Sequence, residues 1–254
     1  MIYVTQGSDQ SIGIETFIRS FLLIDQIYHP LFILIVNKET IKKTLSSLNI
    51  DFKLKNSGIL IENNFLECLF FKKTNGFNAQ VALDIFLTKI KIKKGDILIT
   101  LPSNKSSLIF NKQNVNGHTD LFRKYYNNPN LSMCFLSEKE NLLLLTDHLP
   151  LNKISSTINE NLIVNQIKNT ILNYEYYFEQ INEVIISGIN PHAGEGGLIG
   201  EEDQIITKSI IKLKNIYKNI HFIGPVPADT IHIHKSNNNK LFVYSYHDQG
   251  LTSF

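Results

Sequence analysis

At 254 residues, with 43% hydrophobic and 19% charged side chains, the chain has the make-up of a globular protein and excludes disorder; one large or two smaller domains fit its length. A formal charge of +2 gives no general pull toward nucleic acid, and only two arginines, Arg19 and Arg123, are present, so anion binding falls to lysine, histidine and backbone amides. Cys68 and Cys134 lack any CxxC spacing and read as buried thiols of a reducing compartment.

The opening MIYVTQG runs directly into a strand-like stretch at residues 2–5, with neither a basic n-region nor a long apolar h-region, so no secretory signal is read there. A helix follows from about Ile14. The longest apolar span, SFLLIDQIYHPLFILIV, is broken by Asp25, Gln26, His29 and Pro30, which is too polar for a membrane crossing, and a cytoplasmic protein is expected. Strand 30–36 and helix 39–48 come next, then helix 78–90, the solvated basic run KIKIKK at 89–94, strand 96–101 and helix 119–127. Strands 132–137 and 141–146, helix 158–179, strand 183–188, helix 201–218 and strands 221–224 and 241–246 complete the chain, with a compositional turn in SNNNK at 236–240. There is no internal repeat. Strands alternating with helices predict an α/β fold whose mostly parallel sheet is covered on both faces.

Three strands in this series end in histidine: NLLLLTDHLP at His148, EVIISGINPH at His192 and LFVYSYHDQG at His247. In a parallel sheet the carboxyl ends of the strands share one edge, where ligands bind. A single histidine there is usually an ordinary loop residue; three in the same topological position point to a catalytic metal site, because imidazole is the commonest side-chain ligand for Zn²⁺ and similar ions. Asp147 and Asp248 flank two of the rings, either as carboxylates that orient them or as surface charge. Gly194, Gly196, Gly197 and Gly200 allow close backbone approach, and Glu201 and Glu202 are expected to open the next helix. Neither GxGxxG nor a P-loop occurs. GHTDLF sets Gly117, His118 and Thr119 at a helix start that favours an anion such as phosphate, or serves only as a cap; Lys105 in TLPSNKSS is another anion candidate, and GPVPADT presents Asp229.

The segments GHTDLF, TDHLPL, GINPHAGEGGLIGEED, GPVPADT and YHDQGL resemble, in the same order, the signature segments of the 4-hydroxythreonine-4-phosphate dehydrogenase family of vitamin B6 biosynthesis, from about residue 2 to residue 251. NPHAGEGG and YHDQG are the most specific. QGSDQSIGIE resembles the family's glycine-rich opening with the usual acid and prolines displaced. The resemblance implies two α/β domains, similar to isopropylmalate dehydrogenase, with the site in the cleft between them; the division is expected at 1–115 and 116–254. It further implies His148, His192 and His247 as ligands of a divalent metal (Zn, Mg or Co), His118 and Thr119 as substrate contacts, Asp229 as a catalytic carboxylate beside the substrate, and a homodimer with a shared active site. The implied reaction uses NAD or NADP to oxidise 4-phosphooxy-L-threonine, with loss of CO₂, to 3-amino-2-oxopropyl phosphate. Nucleic acid and membrane are not expected partners.

Family members continue past HDQG with a lysine that falls just beyond Phe254, then an asparagine, an arginine and the segments that close the first domain. Two expectations stand side by side: a shortened or frameshifted C-terminus, with apolar surface left uncovered on the first domain, or a sequence that is a piece of a longer one. Two other activities compete with the dehydrogenase: a non-catalytic remnant that keeps its metal, and a sibling dehydrogenase for a related phosphorylated hydroxy acid such as a threonate phosphate.

Overall fold

Short runs of Val, Ile, Leu and Phe become parallel strands here, because a strand covered on both faces must be apolar throughout. The computed structural model describes residues 1–72, 77–137, 140–234 and 239–252. Such runs build two units, Met1–Asn127 and Asn128–Phe254. The turn read at Ser236–Asn238, the terminal Phe254 and the Lys105 side chain lie outside the described parts.

The first unit runs β1 (Ile2–Thr5), α1 (Gly13–Leu23), β2 (Phe32–Asn37), α2 (Lys38–Ser47), β3 (Phe52–Leu54), β4 (Gly58–Ile61), β5 (Asn64–Phe71), α3 (Asn78–Lys89), β6 (Ile97–Thr100), β7 (Ile109–Phe110), β8 (Gln113–Asn114) and α4 (His118–Tyr125). Its main sheet has the order β3-β4-β5-β2-β1-β6. The pairs β5-β2, β2-β1 and β1-β6 are parallel, whereas β3 and β4 join antiparallel. In α1, Ile14, Phe17, Ile18 and Phe21 recur at helical spacing and are buried against Val4, Leu34 and Val36. The other face packs Tyr3, Ile33 and Ile35 against Ala82 and Phe86 of α3. Asn37 ends β2 and caps α2, its Oδ1 accepting from the amides of Glu39 at 3.0 Å and Thr40 at 3.1 Å.

Strand β2 starts at Phe32, later than the residues 30–36 expected, because Pro30 sits in a 3-10 turn over Gln26–Leu31. Helix α4 packs Leu121 on Leu83, Leu108 and Val115, and the Tyr125 hydroxyl donates to the Leu87 carbonyl at 2.7 Å. The His118 segment, expected to open the second domain, thus belongs to the first unit. Strand β6 is an edge on which Ile97 and Ile99 are 48% and 39% exposed.

The second unit runs β9 (Met133–Leu136), β10 (Asn141–Leu144), α5 (Leu151–Thr157), α6 (Glu160–Tyr177), β11 (Glu183–Ser187), α7 (Gln204–Ile216), β12 (His221–Val226), β13 (Lys240–Tyr244) and α8 (His247–Leu251). The sheet order is β12-β11-β13-β10-β9, parallel except for β9, which pairs antiparallel with β10 at the edge. One face buries Leu143, Val184, Ile186 and Val243 beneath Ile163 and Ile167 of α6 and Ile206, Ile210 and Leu213 of α7. Cys68 is buried as expected; Cys134, on the edge strand β9, is exposed as a residue, although its thiol meets Thr170 Oγ1 at 3.8 Å in surroundings that push its pKa up. No described helix is long and apolar enough to cross a membrane.

Candidate functional site

Four parallel strands of the second unit, β10, β11, β12 and β13, end on the same edge, and the chain leaves them through the segments that carry His148, His192, Asp229 and His247. Strand direction alone therefore gathers the four candidate residues at one edge.

The closest association is between His148 and His247, whose ring centroids lie 5.3 Å apart at an interplanar angle of 36°. Two imidazoles bound to one tetrahedral ion through nitrogens at ~2.1 Å have centroids about 5 Å apart. The pair thus stands at the spacing that sharing an ion requires. His247 opens α8, and its Nδ1 lies 2.8 Å from Asp248 Oδ1. A carboxylate can only accept, so Nδ1 carries the proton and the Nε2 lone pair is left for a ligand.

His192 stands on a different kind of support. Residues His192, Ala193, Gly194, Glu195 and Gly196 have φ of 53°, 53°, 76°, 44° and 66°, a left-handed turn in which three residues are not glycine. Each such residue costs roughly 1–2 kcal/mol, so the surroundings must impose the turn. Asp203 does so. Its carboxylate, on a residue 5% exposed, accepts from the Ile189 amide at 2.6 Å, the Asn190 amide at 3.2 Å and Asn190 Nδ2 at 3.0 Å. A Cβ on Gly194 would lie 2.6 Å from the Gly200 carbonyl oxygen and 3.0 Å from Asp203 Oδ2, so the turn closes onto that carboxylate only with glycine.

The acids singled out in the sequence are not the ones that shape this loop. Helix α7 begins at Gln204, not at residue 201, so Glu201 and Glu202 precede it. Glu202 accepts from Asn190 Nδ2 at 2.8 Å, a bond that lowers its pKa. Asp203, the third acid and the helix N-cap, holds the loop; its position directly before an apolar-periodic helix was the available signal.

A second residue outside the sequence reading is Gln249. Its Oε1 accepts from Ser187 Oγ at 2.9 Å and the Ser245 amide at 2.8 Å, while its Nε2 donates to the Gly188 carbonyl at 2.8 Å. One side chain thus ties the end of β11, where the His192 loop starts, to the end of β13, where His247 starts. Asp229 lines an open cleft of 640 Å³ together with His232, Tyr246, Asp248 and Gln249. His232 was not anticipated.

In the first unit, His118 is the first residue of α4 and its ring stacks on Phe122 at 6.4 Å. Gly117, at φ 109°, precedes it and no side chain caps the helix, which leaves the first-turn amides of α4 and the neighbouring Thr119 beside His118. Burial pushes the His118 pKa below its ordinary value, so the ring is neutral at neutral pH. Among the described residues of one chain, no three His, Cys, Asp or Glu side chains stand close enough to hold a metal. The structure pairs His148 with His247 and does not bring His192 to them.

The family profile described as "Pyridoxal phosphate biosynthetic protein PdxA" matches residues 31–254. A 4-hydroxythreonine-4-phosphate dehydrogenase of Hydrogenobaculum sp. (strain Y04AAS1) is 35% identical over 162 residues, which is 64% of this chain and 50% of that protein. The enzyme of the same name from Sulfurimonas denitrificans is 27% identical over 98% of this chain and 80% of its own length. The crystal structure of a 4-hydroxythreonine-4-phosphate dehydrogenase from Klebsiella pneumoniae shares the fold with a TM-score of 0.74 at 23% identity, covering 100% of this chain and 83% of that one.

Proposed function

The chain belongs to the PdxA family of pyridoxal phosphate biosynthetic proteins, and from that premise we propose that it is a cytoplasmic, NAD(P)-linked dehydrogenase of 4-phosphooxy-L-threonine. The observation that carries the reading is the His148–His247 pair at ion-sharing distance on the strand-end edge that also bears Asp229. His192 joins the pair across a homodimer, which reconciles a three-imidazole site with the absence of any three-ligand group among the described residues of one chain.

The donor set, imidazoles with a carboxylate fixing one tautomer, suits Zn²⁺ or Co²⁺ better than Mg²⁺, which favours oxygen ligands. Such an ion, when bound, supplies Lewis acidity to the substrate hydroxyl, and NAD or NADP supplies the hydride acceptor. The protein's own groups do the rest. The His118 imidazole and the Thr119 hydroxyl, at the open N-terminus of α4, hold the phosphorylated substrate; a neutral His118 acts through hydrogen bonds and the helix amides take the charge. Asp229 takes the proton from the secondary hydroxyl as hydride leaves the same carbon. The 2-amino-3-oxo acid so formed loses CO₂ and gains a proton at carbon, giving 3-amino-2-oxopropyl phosphate.

The test is NADH production by purified chain supplied with 4-phosphooxy-L-threonine, NAD and a divalent ion. The reading expects NADH that disappears with chelator and returns with added metal. Metal uptake without NADH indicates the non-catalytic remnant, and faster turnover of a threonate phosphate indicates the sibling dehydrogenase.

A further inference from the structure

The fold changes the surroundings of the basic run KIKIKK at 89–94, which by itself reads as a solvated face. Helix α3 ends at Lys89, and Lys91, Lys93 and Lys94 follow in the connection to β6. All four are exposed, so a chain of net charge +2 carries four exposed lysines within six residues. The two isoleucines between them part company. Ile90 packs on the cluster of Tyr3 and Phe86, whereas Ile92 is 48% exposed with a lysine on either side.

Aromatic rings reach this connection from another helix. The Tyr125 hydroxyl at the end of α4 donates to the Leu87 carbonyl, in the last turn of α3 before Lys89, at 2.7 Å. That bond sets the exposed pair Tyr125 and Tyr126, ring centroids 5.1 Å apart, beside the start of the run. The acids around it are already engaged: Asp96 by the N-terminal ammonium at 2.7 Å and the Lys93 amide at 2.8 Å, Asp120 by Lys124 at 3.0 Å, and Asp84 by Gln80 Nε2 at 2.7 Å. Lys89 and Lys91 form no ion pair among the described residues.

Any polyanion answers the lysines, so the uncharged residues decide the partner. Ile92 gains nothing from the phosphates and sugars of a nucleic acid. A bilayer, by contrast, takes an aliphatic side chain at the boundary of headgroups and acyl chains, and a tyrosine ring there with its hydroxyl among the headgroups. We propose that this surface docks the first unit on an anionic bilayer, with the lysines at the lipid phosphates and Ile92 and Tyr126 in the interfacial layer. Such docking is peripheral and needs no spanning helix, of which the described residues hold none. It replaces the expectation of no membrane partner, which rested on the lack of a spanning segment, and it is independent of the reaction proposed above.

The test is flotation of the full chain with vesicles of phosphatidylcholine, with and without phosphatidylglycerol, alongside the anisotropy of a labelled oligouridylate. Wild type, Lys91→Gln/Lys93→Gln, Ile92→Asn and Tyr126→Ser are compared, each checked for an unchanged unfolding midpoint. A lysine near an anionic surface contributes roughly a factor of five in affinity, so the double variant should bind anionic vesicles about 25-fold more weakly. Ile92→Asn should lose roughly fivefold or more on the vesicles and nothing on the oligonucleotide. Vesicles without phosphatidylglycerol should not hold the protein, and added salt should release it from those that contain it. Wild type that stays unbound to the anionic vesicles overturns the inference, and so does equal binding to both kinds. Vesicle binding that ignores Ile92 and Tyr126 while oligouridylate binds more tightly also overturns it and marks a nucleic-acid surface instead.

Discussion

Replacing Asp203 by alanine should be among the most damaging single changes in the second unit. The carboxylate accepts from two backbone amides and one side-chain amide at 2.6, 3.2 and 3.0 Å on a residue only 5% exposed. A hydrogen bond to a charged group contributes about 1.5–3 kcal/mol, and a buried donor left without a partner costs about 1–3 kcal/mol. Ile189 and Asn190 are half-buried, so water recovers part of the loss. The short Ile189 bond counts nearly in full and the two longer ones at the low end, which gives about 4–6 kcal/mol. The left-handed turn 192–196, which follows directly on the tethered Ile189 and Asn190, also loses the anchor at its start. Urea unfolding of wild type, Asp203→Ala and Asp203→Asn measures this, the asparagine variant keeping one acceptor and losing roughly half as much. A loss below about 1 kcal/mol for Asp203→Ala would show that the loop is held by other means and refute the assignment.

Gln249→Leu removes three hydrogen bonds, leaves the Ser187 hydroxyl buried without that acceptor, and is expected to cost about 2–3 kcal/mol in the same assay. It should also weaken Co²⁺ binding, because the segments bearing His192 and His247 lose their common tie. The His118 pKa is depressed in the folded protein, so as pH falls below about 6.5 the unfolded state takes up the proton first and stability drops. The urea midpoint should fall on acidification through that range, and His118→Gln should flatten the fall without changing the midpoint above it. Cys68, whose thiol burial pushes up to about 12, should resist iodoacetamide at pH 8 in native protein and react once it is unfolded, as mass spectrometry reads.

The central strands were legible because burial on both faces leaves a continuous apolar run such as Phe32–Asn37 or Asn141–Leu144. The β3-β4-β5 segment was not. Its strands are short, Glu67 interrupts the longest one, and the β4-β5 turn uses Glu62 at φ 53° where a glycine or asparagine would have signalled a hairpin. Gly117 reads as a break, yet α4 joins the first unit through Leu121, a contact with residues far back in the chain. At the candidate site, the common edge of His148, His192, Asp229 and His247 was legible because strand direction fixes which edge they reach. Asp203 and Gln249 were not, since their partners are mostly backbone groups on other segments and a carboxylate or amide carries no sequence mark of what it will bind.

The central claim is that the strand-end imidazoles grip one divalent ion, and titration with Co²⁺, followed by its visible spectrum, tests it most directly. The account predicts one ion per chain in the wild type, and loss of that binding in His148→Ala, His192→Ala and His247→Ala while their unfolding midpoints stay close to wild type. Wild-type Co²⁺ affinity and an unaltered spectrum in His148→Ala and His247→Ala would contradict it.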